Sequence, residues 1–197
     1  TFPVKKGRLT NVVAFISDRS RPDPQWPADQ PWVRTVEQRE LLEAFAHWGE
    51  AVRILLECIP APSYWALHRL AELPGYSHGR VSLIGDAAHA MLPHQGAGAG
   101  QGLEDAALLA DLFSDPRVLQ TPADELLKVY DRVRRPRACQ VQRTSWENGE
   151  LYEMRLPGYG DDEERIGRDL AGRFDWLWQH DLGADIAAAR RSLGWAA

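Results

Sequence analysis

The feature that most constrains this chain is a glycine-rich segment in front of a predicted helix. Gly96, Gly98, Gly100 and Gly102 alternate with small or polar residues, and an alanine- and leucine-rich stretch follows them. Because glycine has no Cβ atom, backbone N–H groups in such a segment can come close to a flat or anionic ligand. The first N–H groups of the following helix lack acceptors within that helix, and the helix dipole is positive there. The segment therefore predicts a ligand that carries partial negative charge.

An acidic residue precedes the glycines, at the end of a predicted strand. Val81, Leu83 and Ile84 form a short apolar run between glycines, which is typical of a strand buried on both faces of a parallel sheet. Asp86 follows this run. Ligands of open α/β sheets bind outside the carboxyl ends of the strands, so this carboxylate is placed to accept hydrogen bonds from the hydroxyls of a sugar or sugar alcohol. The alternative is a strand–helix turn that needs glycine only for packing.

Other ligand-binding motifs do not match the segment. A P-loop requires a Lys-Ser/Thr pair after its glycines, and none is present. The G-x-G-x-x-G fingerprint fails because Gln101 or Leu103 stands where its third glycine would be. His89 and His94 do not have the i, i+4 spacing of a helical metal pair, so we predict no metal site.

Composition narrows the class of protein. The 197 residues are 44% hydrophobic and 26% charged, as in globular proteins, and the formal net charge is -5. A negatively charged chain has no basic footprint for nucleic acid, and no apolar run approaches the roughly 18 residues of a membrane span. Two cysteines that are far apart in sequence exclude a disulfide scaffold and favour a reducing compartment. We therefore expect a cytoplasmic protein with neither a nucleic-acid nor a membrane partner.

The first third of the chain predicts short strands and a proline-rich connection. Strands are expected over residues 9–16 and 64–70, because both runs are rich in β-branched or aromatic side chains. Residues 17–34 contain four prolines and predict a loop. Thr35, with Gln38 three residues later, has the spacing of a capping box at the start of a helix.

Helices are predicted for most of the rest of the chain. Pro136 is expected to separate a helix over residues 123–135 from another over residues 138–152, because proline cannot donate the helical hydrogen bond. The arginines around it predict a solvated helix end; they are Arg132, Arg134, Arg135 and Arg137.

Two segments resemble a known family. Residues 79–89, GRVSLIGDAAH, resemble the second FAD-binding motif of the flavin-dependent aromatic hydroxylases. Residues 93–105, PHQGAGAGQGLED, are similar to the continuation of that motif in salicylate hydroxylase-like members. The whole chain resembles the C-terminal half of this family.

The resemblance implies an α/β fold with α+β elements: the C-terminal half of a two-domain FAD-dependent hydroxylase, with an incomplete Rossmann-like FAD domain. Residues 1–75 would form part of the substrate-binding domain and its sheet, and residues 76–135 the C-terminal part of the FAD-binding domain. Residues 136–197 would form C-terminal helices that pack on the FAD domain. The chain opens without methionine and lacks the family's G-x-G-x-x-G fingerprint. We therefore expect a fragment whose partner is the N-terminal half of the same enzyme, which carries that fingerprint.

The resemblance also implies FAD as the cofactor. Asp86 would bind the ribityl hydroxyls, and backbone N–H groups of the glycine-rich segment would face the pyrimidine edge of the isoalloxazine ring. The predicted cofactor-binding residues are Asp86, Gly96, Ala97, Gly98, Ala99 and Gly100.

The substrate pocket is predicted from the same motif. Pro93 would lie close to flavin C4a and limit the access of water, with Met91 and Leu92 continuing the wall. His94 and Pro93 are the candidate catalytic residues, His94 because imidazole can accept a phenolic proton or bind a carboxylate. The alternative for His94 is a histidine that faces solvent or supports the pocket without contacting the substrate. His89 is expected to be a packed residue at a helix start. The predicted pocket residues are Met91, Leu92, Pro93 and His94.

The reaction implied is the hydroxylation of a small aromatic, salicylate-like substrate. NADH or NADPH would reduce FAD, and the reduced flavin would capture O₂ as a C4a-hydroperoxide that transfers one oxygen atom to the ring. Another flavin monooxygenase, such as an epoxidase, is an alternative. A second alternative is a catalytically inactive half-protein that acts as a binding or scaffold partner.

Overall fold

The structure is a computed structural model that describes residues 1–18, 20 and 25–195. The chain forms two compact units, Thr1–Ala66 and Leu67–Ala197. The three-part division at residues 75 and 135 that the resemblance implies stays a prediction.

The described residues of the first unit form two antiparallel strand pairs, β1 with β2 and β3 with β4, and two helices. Its elements in chain order are β1 (Phe2–Val4), β2 (Leu9–Asn11), β3 (Val33–Thr35), α1 (Gln38–Ala44), α2 (Glu50–Glu57) and β4 (Ser63–Trp65). The strand predicted over residues 9–16 is shorter than expected, because its partner begins at Phe2, which pairs with Asn11. The strand predicted over residues 64–70 likewise ends at Trp65, which pairs with Val33. The loop predicted over residues 17–34 has no helix or strand before β3 in its described residues. Residues 19 and 21–24 are not among the residues that the structure describes.

The capping box predicted at Thr35 is wrong. Thr35 is the last residue of β3, and α1 begins after Glu37 with no side-chain cap. The side chain of Gln38 instead donates to the backbone oxygens of Glu57 and Ile59, at 2.7 and 2.9 Å. Carbonyl groups at a helix end have no partner within the helix, so this amide joins the start of α1 to the end of α2.

The second unit is predominantly helical and has one short strand pair. Its elements are β5 (Ser77–His78), β6 (Val81–Ser82), α3 (Asp86–His89), α4 (Gly98–Ser114), a 3-10 turn (Pro116–Gln120), α5 (Ala123–Tyr152), α6 (Glu163–Leu170), α7 (Asp175–Trp178) and α8 (Leu182–Ser192). Its apolar core is formed mainly by α4, α5 and α8, through buried residues such as Leu108, Leu112, Tyr130, Ala138 and Ala189. Within the residues that the structure describes, every helix is too short or too polar to cross a bilayer.

The division of α5 predicted at Pro136 is wrong, because α5 is a single helix of 30 residues. Tyr130, Ala138 and Val141 are fully buried on either side of the proline. An interior proline costs about 3 kcal/mol through the lost hydrogen bond and the ring clash. The packing of these flanking residues holds the helix together despite that cost.

The strand before Asp86 also differs from the prediction. β6 pairs antiparallel with β5, and no parallel strand adjoins it in the part of the chain described. Val81, Leu83 and Ile84 are 68%, 38% and 47% exposed. The prediction of a strand buried on both faces is therefore wrong for this chain.

Candidate cofactor-binding site

A glycine turn carries the chain from β6 into α3. Gly85 has φ +57°, a backbone conformation that residues with a side chain rarely adopt. Asp86 follows as the first residue of α3 and is exposed. Among the residues described, no donor binds its carboxylate, so Asp86 is available to the hydroxyls of a ligand.

The N-terminus of α4 presents a set of backbone donors. The helix begins at Gly98, and the N–H of Gln101 donates to the carbonyl of Ala97 at 3.0 Å. In the described part of the chain, the N–H groups of Gly98, Ala99 and Gly100 have no acceptor. They lie at the positive end of a 17-residue helix, which favours a ligand with partial negative charge.

Two glycines of this helix are not required by the fold. A Cβ atom at Gly100 would meet nothing within 4 Å, and one at Gly98 would make an ordinary contact of 3.7 Å with Met91. Neither residue has a positive φ. Alanine would make the helix more stable at such positions. The free space beside exposed amides therefore fits a flat ring that approaches the backbone, such as the pyrimidine edge of FAD.

The two predicted residues before the helix have different surroundings. Gly96 has φ +61°, so the turn itself requires glycine there. Ala97 precedes α4 and caps it with no side-chain hydrogen bond.

One face of α5 holds the backbone that connects α3 to α4. Gln142 donates to the carbonyl of Ala90 at 3.1 Å, and Ser145 donates to the carbonyl of Leu92 at 2.5 Å. Tyr152 donates to the carbonyl of His94 at 3.2 Å. Burial raises the pKa of the Tyr152 phenol above its usual value, which keeps it in the donating form.

The side chain of Gln95 is held by the same helix. Its amide nitrogen donates to the carbonyl of Val141 at 2.7 Å and to the hydroxyl of Thr144 at 2.9 Å. Its amide oxygen accepts from Asn148 at 3.1 Å. The glycine-rich segment therefore starts from a point that α5 fixes.

The four predicted pocket residues lie on this connection. Pro93 is exposed, whereas Met91, Leu92 and His94 are half-buried. The His94 ring packs against α5 and makes an edge contact with the Tyr152 ring, with centroids 6.3 Å apart. The roles assigned to these residues stay predictions.

A buried carboxylate joins the two predicted cofactor-binding features. Asp105 of α4 accepts from the N–H of Gly85 at 3.0 Å and from Nε2 of His89 at 2.6 Å. Its other oxygen accepts from Nε of Arg134 at 2.9 Å. Burial alone would raise the pKa of Asp105, but these three hydrogen bonds outweigh it and hold that pKa below its usual value. His89 is buried, as predicted, but it is the last residue of α3 and does not lie at a helix start.

Two arginines of α5 complete this ion cluster. Arg134 donates to Glu104 at 2.6 Å and to the backbone oxygen of Gln101 at 3.2 Å, and Arg137 donates twice to Glu104, at 2.7 and 2.8 Å. Burial alone would raise the pKa of Glu104, but the guanidinium groups of Arg137 and Arg134 hold it below its usual value. The arginines are 0% and 9% exposed, so the prediction of a solvated helix end is wrong for this pair.

Sequence reasoning missed the residues of α5 that support the site. Their spacing was a usable signal, because residues three or four apart share one face of a helix. Arg134 and Arg137 follow that spacing, as do the polar residues Gln142, Ser145, Asn148 and Tyr152.

Comparison with known proteins identifies the family. Residues 24–145, more than half of the chain, match the family model described as an FAD binding domain. The chain belongs to this FAD-binding family. FAD is thus the cofactor of the family, as predicted.

Members of the FAD-binding family with similar sequences are oxygenases. A salicylate hydroxylase of Pseudomonas putida is 68% identical over 195 residues, which cover 99% of this chain and 45% of that protein. The FAD-dependent monooxygenase pigN of Monascus ruber is 35% identical over 193 residues, covering 92% of this chain and 43% of that protein. The chain therefore spans less than half the length of these relatives.

The fold agrees with that membership. A solved salicylate hydroxylase in complex with its substrate superposes with a TM-score of 0.88 at 56% identity, over 95% of this chain and 46% of that one. The predicted resemblance to FAD-dependent hydroxylases and the predicted fold class are both confirmed.

Proposed function

We propose that this chain is the C-terminal part of an FAD-dependent monooxygenase that hydroxylates a small aromatic acid of the salicylate type, with NADH or NADPH as the electron donor and O₂ as the oxygen source. The observation that carries the proposal is the open N-terminus of α4, where three amides lack acceptors among the residues described and two glycines serve no need of the fold. The 68% identity to a salicylate hydroxylase supports the choice of substrate class.

The cofactor is held by two features of the second unit. The Asp86 carboxylate accepts hydrogen bonds from the ribityl hydroxyls, and the N–H groups of Gly98, Ala99 and Gly100 donate to the pyrimidine edge. Bound FAD supplies the chemistry, namely the transfer of one oxygen atom from O₂ to the ring. The dipole of α4 stabilises negative charge on the reduced cofactor by about 1–2 kcal/mol in a partly buried site.

The connection between α3 and α4 serves the substrate. Pro93 has no N–H group to hold a water molecule, and the side chains of Met91 and Leu92 add apolar surface that excludes water. A ring nitrogen of His94 accepts the proton of a phenolic hydroxyl, which raises the electron density of the ring that is to be attacked.

The chain works together with an N-terminal half. Val81, Leu83 and Ile84 are exposed although they flank the predicted cofactor site, and the relatives are more than twice as long as this chain. Exposed apolar residues next to a strand are suited to pairing with further strands. We propose that the other half supplies those strands, together with the G-x-G-x-x-G fingerprint.

The test combines this chain with the N-terminal portion of the Pseudomonas putida relative, by fusion or co-expression. We expect the complex to retain FAD, and to consume NADH and O₂ and release CO₂ when salicylate is added, because hydroxylation at the carboxyl-bearing carbon expels that group. A complex that folds and stays colourless would support the scaffold alternative. A complex that binds FAD but acts only on other aromatic compounds would overturn the assigned substrate.

A further inference from the structure

A glycine in the interior of α5 lies against the ring of His94. Gly149 is buried, and its φ is not positive, so the helix does not require glycine there. Glycine inside a helix is destabilising relative to alanine. The reason for its presence must come from its surroundings.

Those surroundings leave no room for a side chain. A Cβ atom at Gly149 would lie 2.7 Å from both Cδ2 and Nε2 of His94, and 3.3 Å from its Cε1. Carbon atoms in contact are about 3.5–4.0 Å apart, so an alanine side chain would require the ring to move by about 1 Å.

The backbone around His94 cannot readily absorb that movement. The carbonyl of His94 accepts from Tyr152, the preceding Leu92 carbonyl accepts from Ser145, and the following side chain, Gln95, is bonded to the backbone of Val141. The two hydroxyl donors and the carbonyl acceptor in these hydrogen bonds all belong to α5. A side chain at position 149 would therefore displace the imidazole ring more than the main chain.

We propose that Gly149 is a positioning residue for His94. Its missing side chain lets the imidazole ring lie directly on α5, and this contact sets the place from which the ring meets the aromatic substrate. The inference rests on the proposed function, in which His94 borders that substrate. Gly149 itself contacts neither substrate nor cofactor.

The test is Gly149→Ala in the complex with the N-terminal portion, with Gly167→Ala as the matched control. Gly167 lies inside α6, and a Cβ atom there would meet nothing within 4 Å. We expect Gly149→Ala to lower kcat/KM for salicylate by about 10- to 100-fold, because a displacement near 1 Å is costly at a reacting centre. FAD affinity should not change in either variant, and Gly167→Ala should keep full activity.

A double-mutant cycle with His94→Ala distinguishes two effects of Gly149→Ala. One is an effect on α5 itself, and the other is transmitted through the His94 ring. The salicylate dissociation constant, read from the flavin absorbance, and the thermal unfolding temperature are measured alongside kcat/KM. We expect Gly149→Ala to weaken salicylate binding and lower the unfolding temperature when His94 is present, and to do neither in the His94→Ala background. Equal effects of Gly149→Ala in both backgrounds, or wild-type behaviour of the single variant, would overturn the proposal.

The double-mutant cycle measured by thermal unfolding also tests this inference separately from the proposed function. If the wild-type complex binds FAD and does not hydroxylate salicylate, the proposed function fails, whereas the coupling between positions 94 and 149 in thermal unfolding still decides whether Gly149 positions the ring.

Discussion

Glycine residues around the candidate site differ in the physical reason for which the chain needs them. Gly85 and Gly96 have φ values of +57° and +61°, so the turns themselves require glycine. Gly149 is needed because the His94 ring occupies the space of a side chain. Gly100 meets neither condition, since it has a helical φ and open space around it. At this residue the preference for glycine points to a ligand.

Gly100→Ala is therefore predicted to change stability and cofactor binding in opposite directions. The chain without cofactor should gain about 0.5–1 kcal/mol in the free energy of unfolding, because alanine favours the helix. FAD affinity should fall by about tenfold or more, equivalent to at least 1.4 kcal/mol, because the methyl group blocks the approach to the amides. Urea unfolding and titration with FAD measure the two effects.

Gly167→Ala in α6 is the matched control, since it should bring the same gain in stability with no effect on FAD affinity. An unchanged FAD affinity in Gly100→Ala would show that no flat ligand approaches this turn.

At the scale of elements, α5 determines where the site residues lie. One part of the helix packs into the apolar core through Tyr130 and Ala138, and its C-terminal part binds the connection from α3 to α4 through Gln142 and Ser145. The helix must continue through Pro136 to reach both. Tertiary contacts, and not local propensity, keep it continuous.

Replacing Pro136 by alanine should accordingly stabilise the protein. Pro136 is exposed, so little packing is lost, and the alanine N–H can complete the helical hydrogen bond. We expect a gain of about 1–3 kcal/mol in the free energy of unfolding, reduced somewhat by the greater freedom of the unfolded chain. Urea unfolding measures it.

Pro116→Ala serves as the comparison. Pro116 is the first residue of its 3-10 turn, where proline is favourable and its missing N–H group costs no hydrogen bond, so we expect no such gain there. A destabilised Pro136→Ala would mean that the proline ring makes a contribution of its own.

The buried ion cluster is a second feature at this scale, and it makes stability depend on pH. Asp105 and Glu104 have pKa values below their usual ones in the folded chain. A carboxylate of this kind stabilises the fold at any pH above its unfolded pKa, and that contribution is lost as the pH falls towards the folded pKa. We expect the unfolding temperature to fall steadily below about pH 4.5, where the unfolded chain takes up protons first.

Glu104→Gln should make that fall less steep, because it removes one of the two carboxylates. An unfolding temperature that stays constant from about pH 5 to pH 3 would contradict the ion pairing of the cluster.

At the scale of the whole molecule, the exposed apolar residues beside the site matter most. Val81, Leu83 and Ile84 leave the β6 region open to a further strand, close in sequence to Asp86. This exposure supports the proposal that surface from an N-terminal half completes the site.

Val81→Lys is predicted to abolish association with the N-terminal portion while leaving the chain itself folded, because Val81 is 68% exposed in it. Sedimentation of the mixed halves measures association, and circular dichroism measures folding. Leu119→Lys is the control, since Leu119 is 90% exposed and lies outside the strand region. Association that survives Val81→Lys would place the contact elsewhere.

Much of the site could be predicted from local sequence, because its features are local. The turn at Gly85 and the place of Asp86 directly after it follow from the order of glycines and acids. The start of α4 does not, because the sequence predicted a helix after Gly102 and the structure begins it at Gly98. Thr35 and Pro136 show where this reasoning fails, since a strand partner and core packing override local preference there.

The sequence by itself determined the family, the cofactor and the segment that presents backbone donors, because backbone conformation and helix polarity depend on residues that are neighbours in the chain. Only the tertiary structure decided that Asp105, Arg134 and Arg137 form a buried cluster beneath that segment, and that Gly149 makes room for His94. These contacts join residues roughly 30 to 55 positions apart, and which distant side chains meet depends on how α5 packs on α4.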